Sequence, residues 1–318
     1  MNKALKIILW CVGALAVILA ATGLIAGNYM VKYALTPEEQ SFDMDEARQD
    51  LRDYTPDLGQ WLDSLENAGV MRDTAVAFED GRTMHALFAA ADNASKKSAV
   101  IVHGYTSNPI WMMRIGRMFR DSLGYNILLP YLNHHGLSDG EAIQMGWKDR
   151  LDVEKWIEIA HEKFADTLEV VQGISMGGAT TMMVSGDPLP EYVRGFVEDC
   201  GYTSAWDQFA KELKEQFNQP PFPVLYGASL VCRCKYGWGF KEASSVKQLA
   251  KCTLPMLFIH GDSDDFVPTA MLQQNFDAKT QGYKEMWLAP DTSHGMAYDN
   301  HPAEYTARVR KFLAEHVE

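Results

Sequence analysis

The stretch LEVVQGISMGGATTMMV, residues 168–184, decides the fold. Its first seven residues are a short run rich in apolar and β-branched side chains, which reads as a buried strand. Its last eight read as a helix. Between them Gly173-Ile174-Ser175-Met176-Gly177 spells G-x-S-x-G. A serine on so sharp a strand-to-helix turn projects its hydroxyl above the sheet, and the flanking glycines keep Cβ atoms out of the way. The helix N-terminus behind it favours developing negative charge. This setting separates the motif from a glycine-rich turn with an incidental serine.

A serine hydroxyl is a poor nucleophile at neutral pH and needs a base, which in turn needs an orienting acid. On this kind of turn the partners follow in the order Ser, Asp, His. Downstream of Ser175 the chain offers His260-Gly261-Asp262-Ser263-Asp264-Asp265-Phe266-Val267-Pro268, then Ser293-His294-Gly295, each just after an expected strand. Among the acids, Asp264 fits the spacing H-G-x-x-D-x-x-V-P. Asp262 is expected to shape the turn and Asp265 to cap the next helix. Asp199, closing an earlier strand, is the alternative acid. His294 is preferred as base over His301, whose place before Pro302 suits a helix start. Upstream, Val102-His103-Gly104-Tyr105-Thr106 follows another apolar run. An oxyanion needs two backbone N–H groups, one from the residue after the nucleophile. Met176 and Tyr105 are assigned to them, with His103 bracing the loop.

The rest of the chain alternates strand and helix. Strands are expected at Thr74–Phe78, Met84–Ala90, Ala99–Val102, Asn126–Tyr131, Leu168–Ile174, Val193–Val197, Met256–His260 and Glu285–Ala289. Helices are expected at Trp111–Leu123, Trp147–Phe164, Ser175–Val184, Thr269–Ala278 and Ala303–His316. Glu79-Asp80-Gly81-Arg82 signals a hairpin. The pattern implies an α/β architecture: a mostly parallel sheet with helices on both faces and an antiparallel edge. Residues 201–250 break the rhythm. They carry Trp206, Phe209, Phe217, Phe222, Tyr226, Tyr236, Trp238 and Phe240, cut into pieces by Pro220, Pro221 and Pro223. These rings suit either an acyl or aromatic substrate group or packing of the insertion itself.

At the N-terminus Ile7–Gly27 is an uncharged apolar run. About twenty helical residues span about 30 Å, the thickness of a bilayer core. Lys3 and Lys6 precede it and Glu38, Glu39, Asp43, Asp45 and Glu46 follow, which places the N-terminus inside and the bulk of the chain outside. The competing reading, a cleaved signal peptide, has a shorter apolar region and a small-x-small site, and no good site follows Leu24. Residues 36–66 read as acidic and helical, with Leu51, Leu58, Trp61, Leu62 and Leu65 as an apolar stripe ended by Asn67-Ala68-Gly69. The expected organisation is therefore an anchor (1–30), a helical stalk or pre-domain (31–71) and a catalytic domain (72–318) with a lid at about 201–250.

A net charge of −13 in 318 residues, without any basic run, argues against a nucleic-acid partner. Five cysteines (Cys11, Cys200, Cys232, Cys234, Cys252) form no regular disulfide framework, and no Cys-x-x-Cys or His-x3-His pair suggests zinc. No dinucleotide or P-loop motif is found. No metal or organic cofactor is implied.

Taken together, HGYTS, Gly173–Gly177, HGDSDDFVP and SHG resemble the α/β-hydrolase superfamily, and within it the bacterial serine aminopeptidase-like or lysophospholipase-like hydrolases with an N-terminal apolar segment. The likeness covers roughly residues 72–317. It implies Ser175, Asp264 and His294 as a catalytic triad, Tyr105 and Met176 as the oxyanion hole, and a small-molecule ester or peptide as substrate. Residues 133–140 (NHHGLSDG) are similar to that group's G-x-S-x-G loop after the fourth strand and are expected here to line the site rather than react, whereas Tyr131-Leu132-Asn133 departs from the Asp-x-Arg-like stretch of many relatives.

Overall fold

A computed structural model describes residues 2–37 and 43–318. They fall into two units. Residues 2–37 and 204–243 form the smaller, and residues 43–203 and 244–318 the larger. The part of the expected stalk at 38–42 lies outside the described residues.

In the larger unit the strands are β1 (Arg72–Ala77), β2 (Thr83–Ala89), β3 (Lys97–Val102), β4 (Asn126–Pro130), β5 (Leu168–Ile174), β6 (Val193–Asp199), β7 (Met256–Gly261) and β8 (Lys284–Ala289). They form one sheet in the order β1-β2-β4-β3-β5-β6-β7-β8. The β1–β2 and β2–β4 pairs are antiparallel and every later pair is parallel. The hairpin closes at Gly81, in the left-handed region with φ 88°, where Phe78 N–H donates to the Arg82 carbonyl at 2.8 Å. Strands β4 and β7 are buried along their whole length, as a sheet covered on both faces requires.

Numbered along the whole chain, the helices are α1 (Lys3–Leu35), α2 (Met44–Tyr54), α3 (Pro56–Asn67), α4 (Met113–Arg117), α5 (Asp149–Phe164), α6 (Met176–Val184), α7 (Ala205–Phe217), α8 (Val224–Tyr236), α9 (Ser245–Leu249), α10 (Ala270–Ala278), α11 (Ala297–Asn300) and α12 (Pro302–His316). The single helix expected at Trp111–Leu123 is α4 continued by a π-helical turn, Met118–Ser122. Residues 44–67 are two helices, broken at Thr55 where Pro56 starts the second. Leu51, Leu58, Leu62 and Leu65 join the same apolar cluster as Phe119, Ile127 and Leu129. Paired hydrogen bonds from Arg48 to Glu66 and from Arg52 to Asp63 lock α2 onto α3.

In the smaller unit α1 outruns the apolar segment by eight residues and ends at Leu35. One face of its second half, Gly23, Gly27, Val31 and Leu35, is buried at four-residue intervals. Its first twenty residues are almost wholly bare. Helices α7 and α8 are separated by the expected proline-rich break, and aromatic rings of these helices and of the segment after α8 pack on one another: Trp206 on Tyr226 at 4.9 Å, Phe209 on Phe240 at 4.7 Å and Trp238 on Phe240 at 5.9 Å. Packing within the insertion accounts for Trp238 and Phe240, which are buried, whereas Phe222 and Tyr226 stay more than half exposed.

Candidate active site

The parallel register aligns Val102 with Gly173, Ile174 with Asp199, and Asp199 with Ile259. The residues just beyond these strand ends therefore share the carboxyl edge of the sheet, where open α/β folds bind ligands. Ser175 ends β5 and begins α6 with φ 61° and ψ −118°, a conformation that costs a non-glycine residue about 1–3 kcal/mol. The turn is over-determined. Ser175 N–H donates to the Asp199 carbonyl at 2.8 Å. A Cβ on Gly173 would collide with the Gly177 carbonyl, and one on Gly177 with the Val102 carbonyl. Gly177→Ala should accordingly lose about 1–3 kcal/mol of stability, read as a lowered urea midpoint.

Around that hydroxyl the structure brings together three side chains far apart in sequence. His294 Nε2 lies 2.8 Å from Ser175 Oγ, and His294 Nδ1 lies 2.7 Å from Asp264 Oδ2. The partners assign the tautomer: Nδ1–H donates to the carboxylate and Nε2 accepts from the serine. Asp264 is 5% exposed. Its other oxygen accepts from Phe266 N–H at 3.0 Å and Val267 N–H at 2.9 Å. Burial pushes its pKa up, but hydrogen bonds from His260 and His294 outweigh burial and hold it well below the usual carboxylate range. It is therefore ionised wherever a histidine base can work.

The competing residues sit elsewhere. Asp199 buries its carboxyl, and burial raises its pKa to about 6. Asp262 accepts from Ser263 Oγ at 2.8 Å and Thr292 N–H at 3.2 Å, tying the end of β7 to the His294 loop. Asp265 does not cap α10, contrary to expectation. Pro268 turns the chain first, and Thr269 takes the N-cap position. His301 stands at the start of α12 with Nε2 2.8 Å from the Pro290 carbonyl.

Tyr105 follows Gly104, where a Cβ would lie 3.4 Å from Ser175 Cβ and 3.9 Å from its Oγ. Met176 is the first residue of α6, so its N–H lies in the turn that has no intrahelical acceptor. His103 braces this loop: Nδ1 donates to the Gly104 carbonyl at 2.8 Å and Nε2 accepts from Leu132 N–H at 3.0 Å. Burial holds it neutral, with its pKa pushed from 6.5 down to about 4. In the unfolded chain the same group protonates near 6.5, so the unfolded state binds more protons between these values. Stability should fall as pH drops from about 6.5 to about 4, by up to about 1.4 kcal/mol per pH unit from this group. Urea midpoints across that window measure it, and a flat profile would contradict the buried neutral assignment.

Three contributors carry no role in the sequence reading. His260 puts Nε2 3.2 Å from Asp264 Oδ2 and 2.9 Å from the Val267 carbonyl. Its place four residues before Asp264 was the available signal. His135 accepts from Thr106 N–H at 3.2 Å and donates to the Asn133 carbonyl at 2.8 Å, so the 133–140 loop steadies the Tyr105 segment. Arg114 donates to the Gly295 carbonyl at 3.2 Å and pairs with Asp299 at 3.2 Å, fixing the chain next to His294 from 181 residues away. No local pattern announces such a contact.

Among the described residues two groups have metal-ligating atoms close together. Cys200, Asp264 and His294 overlap the triad. His161, Asp166 and Glu169 lie where α5 leads into β5, and there burial and then the Asp166 charge push the Glu169 pKa up to about 10. None of the five cysteines is in a disulfide.

The sequence profile of the prolyl oligopeptidase family matches residues 141–318. Protein YqkD of Bacillus subtilis is 24% identical over 310 residues, 97% of either chain. Protein bem46 of Schizosaccharomyces pombe is 23% identical over 203 residues, 63% of this chain and 62% of its own. Among solved structures, the esterase Pf2001 of Pyrococcus furiosus superposes with a TM-score of 0.63 at 21% identity, covering 79% of this chain and 95% of its own. The fold is that of the α/β-hydrolases.

Proposed function

The chain belongs to the prolyl oligopeptidase family, and we propose that it is a membrane-anchored serine hydrolase cleaving carboxylic esters through an acyl-serine intermediate. The observation that carries the reading is the unbroken relay from Asp264 through His294 to Ser175, with contacts of 2.7 and 2.8 Å. His294 takes the Ser175 proton as Oγ attacks the ester carbonyl. The Asp264 carboxylate stabilises the imidazolium that results. The tetrahedral oxyanion accepts from the N–H groups of Tyr105 and Met176. Collapse expels the alcohol, protonated by His294, and water then attacks the acyl-serine with the same histidine as base. An apolar acyl or aromatic acid group is the proposed substrate feature.

Peptidase or amidase chemistry uses the same residues and is favoured by the family's name. A series of p-nitrophenyl esters of increasing acyl length against aminoacyl p-nitroanilides separates the two. The ester reading expects the higher kcat/KM among the esters. Faster anilide cleavage would replace it with a peptidase, and no turnover in either series would favour a binding module.

The anchor reading rests on α1. Bare side chains such as Ile7, Trp10, Val17 and Ile18 are 56–80% exposed, and each needs an apolar surrounding worth about 1.5–3 kcal/mol. Cleavage as a signal peptide just after the apolar run would strip away Gly23 and Gly27, which are buried parts of the smaller unit. Lys3 and Lys6 point to an inside N-terminus and an extracytoplasmic catalytic unit. Fractionation should leave the full-length chain in the membrane pellet, and a shortened form in the medium would contradict retention.

A further inference from the structure

Within the smaller unit α1 and α8 meet backbone to backbone. A Cβ on Gly227 would strike the Gly23 carbonyl, and a Cβ on Gly27 would strike the Ala228 amide. Such small-residue seams are how helices pack closely where lipid surrounds them. Pro223 lies against Gly23 and Ala228 against Gly27, so the two helices run in the same sense. Their contact also fixes the height of α8 along α1.

That height can be read against a bilayer. Trp10 and Tyr29, exposed by 80% and 61%, stand near the two ends of the apolar run. Nineteen residues of helix put them about 28 Å apart, close to the thickness of a hydrocarbon core of about 30 Å. Aromatic side chains of this kind settle at the two membrane–water boundaries. Gly23 lies six residues before Tyr29, about 9 Å deeper along the helix. The tip formed by Phe222 and Pro223 lies beside Gly23, at the depth of roughly 5–10 Å to which interfacial elements sink.

The chemistry of the tip and of α8 suits that position. Phe222, Tyr226 and Leu230, spaced by four, expose 57%, 51% and 51% of their surface along one side. Pro220 and Pro221 add apolar surface without a backbone donor. Trp206 packs on Tyr226, and Lys241 Nζ lies 4.2 Å from the Trp206 ring and 5.3 Å from the Tyr226 ring. A Trp, a Tyr and a Lys together form a boundary group with apolar bodies and polar tips.

We propose that the Pro220–Pro223 tip and the exposed side of α8 enter the outer leaflet of the same bilayer that α1 spans, so that lipid is the partner of this face. The inference rests on the reading of α1 as a retained anchor. It makes the 204–243 insertion a second, monolayer-deep membrane element, held in place by the Gly23, Gly27, Gly227 and Ala228 seam.

The test uses the full-length chain in phosphatidylcholine vesicles, with exposed Cys11 and Cys234 replaced by serine. Single cysteines at Phe222→Cys, Ile18→Cys and Lys311→Cys carry a nitrobenzoxadiazole label. Ile18 reports α1, and Lys311 is an exposed site on α12. The proposal expects the labels at 18 and 222 to be blue-shifted, the one at 18 quenched by lipids bearing a nitroxide deep in the acyl chain and the one at 222 by lipids bearing a shallow nitroxide, and the label at 311 to behave as in water. A water-like label at 222 with a lipid-like label at 18 overturns the proposal while keeping the anchor. A blue-shifted label at 222 that lipid-borne nitroxide does not quench means that a second copy or another protein covers the face, and overturns it too. Water-like signals at both 18 and 222 overturn the anchor and the proposal together.

Discussion

Ser175→Ala should lower kcat by about a millionfold while leaving the urea midpoint almost unchanged. The reacting oxygen is lost, but little of the packing is. The serine side chain contributes one hydrogen bond to His294. The strained turn is held by other groups, namely the Ser175 amide on the Asp199 carbonyl and the close approach of Gly177 to Val102. An ester assay with enzyme in large excess reads the loss, and comparison of denaturation curves excludes unfolding as its cause. Activity that survives the substitution would remove Ser175 from the chemistry.

Asp264→Asn should cost about ten-thousandfold in kcat. The amide is nearly isosteric, so the loop keeps its shape. It cannot, however, accept from His294 Nδ1–H and support an imidazolium as the carboxylate does. One of its two ends must also present an N–H group to His294, to His260 or to the Phe266 and Val267 amides, all of which now donate to it. The favoured escape reverses the His294 tautomer and leaves Nε2 protonated, unable to take the serine proton. Because the relay works as a unit, Ser175→Ala/Asp264→Asn should be no slower than Ser175→Ala alone. Independent, multiplying losses would mean that the two residues act separately.

The sequence reading named Ser175, Asp264 and His294 together because its signals are local. G-x-S-x-G, H-G-x-x-D-x-x-V-P and S-H-G each hold a side chain at the end of a strand, and strand ends are visible as apolar runs closed by turn residues. The mostly parallel character of the sheet also followed from alternation, with the antiparallel edge announced by Asp80-Gly81. What stayed hidden was long-range. Nothing near Arg114 signals that it holds the backbone after His294, and nothing near His135 signals that it holds Thr106. Helix ends shifted where neighbours outvote propensity. Pro56 divides one expected acidic helix into two, and α1 runs past its apolar segment to Leu35 because that face is buried. The aromatic residues of the insertion illustrate a different limit, since composition alone does not distinguish rings that pack on each other from rings that line a pocket.

In the proposed mechanism one hydroxyl of this chain is made nucleophilic by one imidazole. A fluorophosphonate probe tests it directly, because it forms a stable phosphonyl ester only with an activated serine. The full-length protein in detergent, labelled at pH 7.5 and mapped by mass spectrometry, should carry a single adduct on the peptide containing Ser175, and Asp264→Asn should slow its formation severely. An adduct on another serine, or none on Ser175 in protein whose fold is intact, would mean that Ser175 is not the activated nucleophile.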